Sequence, residues 1–203
     1  MNGPDAHAVA ESDVALLARI RACTQCRPHL AAGARPVLQF DRRARLLIAG
    51  QAPGTRATLS GRPFDDPSGA RLLEWLDIPE SVFRDPALVT ILPMGFCHPG
   101  RGRTGDLPPV PACARTWRAE LMSRLPAVRL TVLLGMHAMR WHLPAPPKSL
   151  TEAVRTWHQA PAGMFPLPHP SPRNNGWLLA HPWYADAVLP ALRAQVRSAL
   201  SDG

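Results

Sequence analysis

Four cysteines, a histidine held among prolines and a pair of adjacent aspartates are the residues whose types and spacing suggest chemistry in this chain. Cys23 and Cys26 form a Cys-x2-Cys knuckle, whereas Cys97 and Cys113 stand far apart across a segment dense in glycine and proline. Four thiolates can hold a [4Fe–4S] cluster or a zinc ion. A zinc ribbon wants two close pairs, and the wide second pair here favours the cluster. The competing reading is four buried thiols packed as small hydrophobes, with no metal at all.

His169-Pro170-Ser171-Pro172-Arg173-Asn174 is a rigid loop with a histidine at its base. Such a histidine can donate a hydrogen bond to a developing negative charge, and a stiff loop can be pushed into a duplex. Its plainer reading is a proline-rich surface turn. Gly50-Gln51-Ala52-Pro53-Gly54 follows an apolar run. Its glycines let backbone approach a ligand, although a tight strand-to-helix turn needs the same residues. In Gly61-Arg62-Pro63-Phe64-Asp65-Asp66-Pro67-Ser68-Gly69, Phe64 could stack on a base and either aspartate could act as a general base. Helix capping by Asp66 or Ser68 would explain one acid but not both.

The elements that must carry these loops read as an alternation of strand and helix. Continuous apolar runs at 44–49, 88–94, 130–134 and 164–167 predict buried strands. Helices are expected at 13–21, capped by Asp13, and at 68–76, 112–125, 135–142 and 183–200. Continuous rather than alternating apolar strands imply an α/β fold: one three-layer α/β/α domain around a central, mostly parallel four-stranded sheet. Ligands bind such sheets beyond the carboxyl ends of strands, where the loops at 50–54 and 168–175 fall. Residues 1–12 are expected to be a flexible tail, and 13–203 the domain.

A chain of 203 residues fits one domain. Its net charge is +8, and Lys148 is its only lysine. Arginine grips phosphate in bidentate fashion and stacks on bases, so a nucleic-acid partner is expected. No apolar run is long enough to span a membrane. The polar, acidic start lacks the pattern of a signal peptide, which predicts a cytoplasmic protein whose cysteines are not disulfide-bonded. A monomer is expected.

Taken in order, these motifs resemble the uracil-DNA glycosylase superfamily over roughly residues 14–200. That family's first motif, a strand then Gly-x-x-Pro, is matched by Gly50 to Pro53, and its His-Pro-Ser-Pro motif by His169 to Pro172. The cysteine spacing is similar to its iron–sulfur branches, which carry Cys-x2-Cys early and Cys-x15-Cys after the second strand. The resemblance implies a DNA repair glycosylase that flips a deaminated base, foremost uracil, out of DNA and hydrolyses its bond to the sugar, leaving an abasic site. It implies a [4Fe–4S] cluster on Cys23, Cys26, Cys97 and Cys113. Backbone at Gln51 and Ala52 would meet the flipped base or its sugar, within a binding set of Gly50, Ala52, Pro53 and Gly54. Phe64 would stack on the base, and His169 would bind its carbonyl. Ser171, Pro172, Arg173 and Asn174 would enter the minor groove, with Arg173 as the wedge. Asp66-Pro67-Ser68-Gly69 is similar to the Asp-x-Ser-Gly of one branch, whose aspartate positions the attacking water. Two positions depart from the pattern. Pro93 stands where iron–sulfur relatives have an asparagine that reads uracil, and Gln51-Ala52 replaces acidic or asparagine residues of several branches. The alternatives are therefore a glycosylase for hypoxanthine or xanthine, or a lesion-binding protein of the same fold without turnover.

Overall fold

The computed structural model describes residues 11–30, 33–103 and 105–201. Most of the tail expected over 1–12 thus lies outside the described residues, but its last two positions do structural work. Ser12, not Asp13, caps the first helix, α1 (Asp13–Arg21), its hydroxyl accepting the Ala15 N–H at 3.2 Å. Glu11 pairs with Arg19 at 2.7 Å.

Strand β1 (Leu46–Ala49) leads into α2 (Thr55–Ser60), α3 (Pro67–Leu76) and α4 (Glu80–Arg84), then β2 (Val89–Ile91). Next come α5 (Pro111–Ser123), β3 (Leu130–Leu134), α6 (Met136–His142), α7 (Leu150–Arg155) and β4 (Met164–Leu167). The chain ends in α8 (Asn175–Ala180), a π turn at Tyr184–Val188 and α9 (Leu189–Leu200). The sheet order is β2-β1-β3-β4, and every pairing is parallel rather than mostly so. The chain leaves β1 for one neighbour and later returns to the other side, which opens a crevice at the carboxyl ends of the central strands.

Both faces of the sheet are covered, which is why its strands carry no polar alternation. Leu46 and Ile48 join Leu72, Trp75, Phe165 and Leu192 in one core layer. Leu47, between them, joins Leu16, Ile20, Phe96, Trp117 and Leu121 in the other, together with Cys26 and Cys113. No helix among the described residues is long and apolar enough to cross a membrane.

Candidate active site

A cleft of about 240 Å³ opens at the carboxyl end of the sheet. Gly50, Gln51, Ala52, Pro53 and Gly54 line it from the exit of β1, and Phe64 and Asp66 from the loop before α3. His169, Ser171, Arg173 and Asn174 line it from the exit of β4. The two loops singled out in the sequence therefore meet at one place. Pro172 and Asp65 do not line the cleft. Pro172 opens the 3₁₀ turn Pro172–Asn174 that shapes the loop.

The first loop is fixed by its backbone. The Gly50 and Gln51 carbonyls accept N–H bonds from Met94 and Gly95, at 2.8 and 3.0 Å, binding it to the exit of β2. The Gln51 side-chain amide is engaged elsewhere, donating to the Leu107 carbonyl at 2.9 Å. Buried His98 supports the loop from behind, with Nδ1 3.2 Å from the Pro53 carbonyl and Nε2 3.4 Å from the Thr55 hydroxyl. A carbonyl only accepts, so Nδ1 carries the proton. Arg118, 1% exposed, secures the exit of β2 by donating to the Leu92 and Pro93 carbonyls at 2.9 and 3.3 Å. Its Nε also donates to His142 Nε2 at 3.0 Å. Burial, and then the charge of Arg118, push His142 down to about 3, so it serves as a neutral acceptor. Pro93 itself offers the cleft an apolar ring and no side-chain donor.

Phe64 is held under strain. Its φ of 56° is a left-handed conformation that costs a bulky residue of order 1–3 kcal/mol. Three contacts maintain it. A Cβ on Gly69 would stand 1.8 Å from the Phe64 carbonyl oxygen, so only glycine admits that oxygen. Arg84 donates to the Pro63 carbonyl at 2.5 Å, with a longer 3.4 Å bond to that of Phe64. The Phe64 ring packs edge-on against Phe83 at 6.2 Å and lies 6.3 Å from the His169 ring, inclined by 29°. Asp66 has two roles available. Its Oδ1 caps α3, accepting the Ser68 and Gly69 N–H groups at 2.9 and 3.1 Å. Its Oδ2 faces Gly54, 3.5 Å from where a Cβ would stand there. Capping thus occupies one oxygen and leaves the other toward the cleft.

In the second loop the Ser171 hydroxyl accepts the Arg173 N–H at 3.3 Å, and the Asn174 amide donates to the His169 carbonyl at 2.6 Å. Arg71 reaches over from α3 to donate to the Ser171 carbonyl at 3.1 Å. These bonds fix the backbone of the loop that carries His169 at the cleft wall. Burial lowers the His169 pKa below its usual value against the opposing pull of Asp66 and Asp106, and nearby Arg173 adds to the depression. A neutral imidazole keeps one N–H donor for a ligand without bringing a charge.

The four cysteines meet well away from this cleft. They line one small apolar cavity with Ile20, Leu30, Phe96 and Trp117, between α1 and the start of α5. Burial pushes the Cys97 thiol up to about 11 and Cys113 to about 12, and raises Cys26 as well. The Phe96 N–H donates to Cys113 Sγ at 3.3 Å. Among the described residues, no group of three or more His, Cys, Asp and Glu side chains is arranged as a ready metal-ion site. The donor set and its backbone N–H support nevertheless suit a four-thiolate group.

Arg84, His98, Asp106 and Arg118 were not singled out in the sequence. Arginine is common throughout the chain, and histidine next to Cys97 gave no spacing signal. Asp106 lay in a segment read only as loop, yet it lines the cleft.

Residues 38–193 match the family described as the uracil DNA glycosylase superfamily. The match spans the whole sheet, both cleft-lining loops and Cys97 and Cys113, while Cys23 and Cys26 precede it.

Proposed function

The chain belongs to the uracil DNA glycosylase superfamily, and from that premise we propose that it everts a deaminated base, foremost uracil, from DNA and hydrolyses its glycosidic bond. Members of the superfamily are in general DNA glycosylases. The observation that carries the reading is the pair Phe64 and His169, with ring centroids 6.3 Å apart in a cleft open at the strand ends. A base lying on Phe64 turns its edge to the imidazole. Extrusion costs roughly a few kcal/mol. Stacking on an aromatic ring returns about 1–3 kcal/mol per base, and Arg173 at the cleft rim would fill the vacated place in the duplex.

As the C–N bond breaks, its electron pair moves onto the base, and the neutral His169 donates a hydrogen bond to the carbonyl that gathers the charge. Positive charge is left on the sugar. Asp66 Oδ2 orients a water for attack at the sugar carbon and takes up its proton. Gln51 acts through backbone, since its side chain is tied to Leu107. A second reading is favoured by Pro93: with no side-chain donor there to read a pyrimidine edge, hypoxanthine or xanthine becomes an alternative substrate. The test is excision by purified protein from oligonucleotides carrying one uracil, hypoxanthine or xanthine, with alkaline cleavage of abasic sites. Strongest turnover on uracil is expected. Turnover on a purine alone would replace the substrate, and binding without turnover would leave a lesion-binding protein.

Cys23, Cys26, Cys97 and Cys113 would hold a [4Fe–4S] cluster. Four cysteine ligands leave no open iron, so the group would act as a staple between α1 and the segment leading into α5. Anaerobically prepared protein should be brown with about four irons per chain, and Cys113→Ser should lose both iron and thermal stability. A colourless protein carrying one zinc would reject the cluster.

A further inference from the structure

The loop joining Cys97 to Cys113 folds back as a short antiparallel hairpin, with Arg101 bridged to Asp106 and the Leu107 N–H bonded to the Gly100 carbonyl at 2.9 Å. Both neighbours of Asp106 are fixed to the cleft. Gly105 lies under the Arg173 guanidinium, where a Cβ would come within 2.5 Å of a terminal nitrogen, and the Leu107 carbonyl accepts from Gln51 at 2.9 Å. The hairpin thus touches both cleft-forming loops and delivers Asp106 between them, exposed at the cleft mouth. Among the described residues no ion pair engages Asp106. An unpaired carboxylate at the mouth of a site for a polyanion works against binding. A base that enters the cleft leaves its sugar at the mouth, where positive charge appears as the C–N bond breaks.

We propose that Asp106 is a second carboxylate of the reaction, facing the sugar and stabilising its developing positive charge while Asp66 handles the water. This rests on the glycosylase reading above. The step balances: the C–N electron pair leaves with the base, the water oxygen forms the new bond to carbon, and its proton passes to Asp66. Asp106 only balances charge and is neither consumed nor protonated.

The test is single-turnover excision from uracil-containing duplex by full-length wild type, Asp106→Asn and Asp106→Ala. Affinity for a duplex carrying a non-cleavable 2′-fluoro-deoxyuridine is measured in parallel. Removing a charge aimed at the transition state should slow excision by about tenfold or more, with affinity unchanged or tighter. Rates equal to wild type overturn the proposal. Rate and affinity falling together also overturn it, and mark the hairpin as structural. A wild type that excises nothing overturns the glycosylase reading and this proposal with it, whereas an active wild type matched by Asp106→Asn overturns the proposal alone.

Discussion

The Phe64 and His169 rings lie with centroids 6.3 Å apart and planes inclined by only 29°. One comes from the loop before α3 and the other from the exit of β4, so the fold alone brings them together. The shallow angle suits a planar ligand stacked on the first ring and hydrogen-bonded at its edge by the second. Phe64 is held from behind by Gly69, Arg84 and Phe83, and the backbone of His169 by the Asn174 amide.

Replacing Phe64 with alanine removes the stacking face. A loss of about 1–3 kcal/mol corresponds to roughly fivefold to 150-fold weaker capture of the everted base. Fluorescence of 2-aminopurine beside the lesion should report less eversion, with binding to undamaged duplex unchanged. Unaltered eversion would remove Phe64 from base binding.

Asp66 separates capping from chemistry. Asp66→Asn keeps an acceptor oxygen for the Ser68 and Gly69 N–H groups, so its melting temperature should stay near wild type while excision slows by about tenfold or more. Asp66→Ala should lose about 1 kcal/mol of stability in addition. If the asparagine variant turns over like wild type, Asp66 is a cap and nothing else.

The depressed His169 pKa fixes the direction of the pH dependence. The folded protein keeps a neutral imidazole as pH falls through 6.5, so excision should hold there and decline only once the lowered pKa is reached. Stability moves in the same sense. Unfolded chains take up protons near 6.5 while His169, and His142 down to about 3, do not. The unfolded state thus gains as pH drops, and the melting temperature should fall below pH 6.5. Chemical denaturation at stepped pH, compared with His142→Gln, checks the second part: the variant should lose less stability between pH 6 and 4.

Much of the scaffold was legible because burial wrote it plainly. The runs at 46–49 and 130–134 are apolar on both faces, which only a covered parallel sheet explains. The single strand expected over 88–94 is shorter in the structure, Val89–Ile91, because Leu92 and Met94 are buried like strand residues but belong to the loop that secures the first motif. Short helices were missed for want of repeat. α2 spans Thr55–Ser60 and buries only Ala57, while α8, Asn175–Ala180, has no buried residue, so neither shows a period. The expected closing helix starts instead as a π turn at Tyr184–Val188 before Pro190 enters the first turn of α9. In the cleft, residues adjacent in sequence could be grouped by motif. Those that hold them in place could not, because Arg84, His98 and Asp106 act through backbone carbonyls or through a hairpin whose reach depends on tertiary packing.

The proposed chemistry turns on His169 stabilising charge on the departing base. The decisive comparison is single-turnover excision of uracil from a defined duplex by wild type and His169→Ala, at matched and saturating protein. Losing one preorganised donor should slow the chemical step by about a hundredfold or more while damaged duplex is still bound. Excision at the wild-type rate would remove His169 from the chemistry.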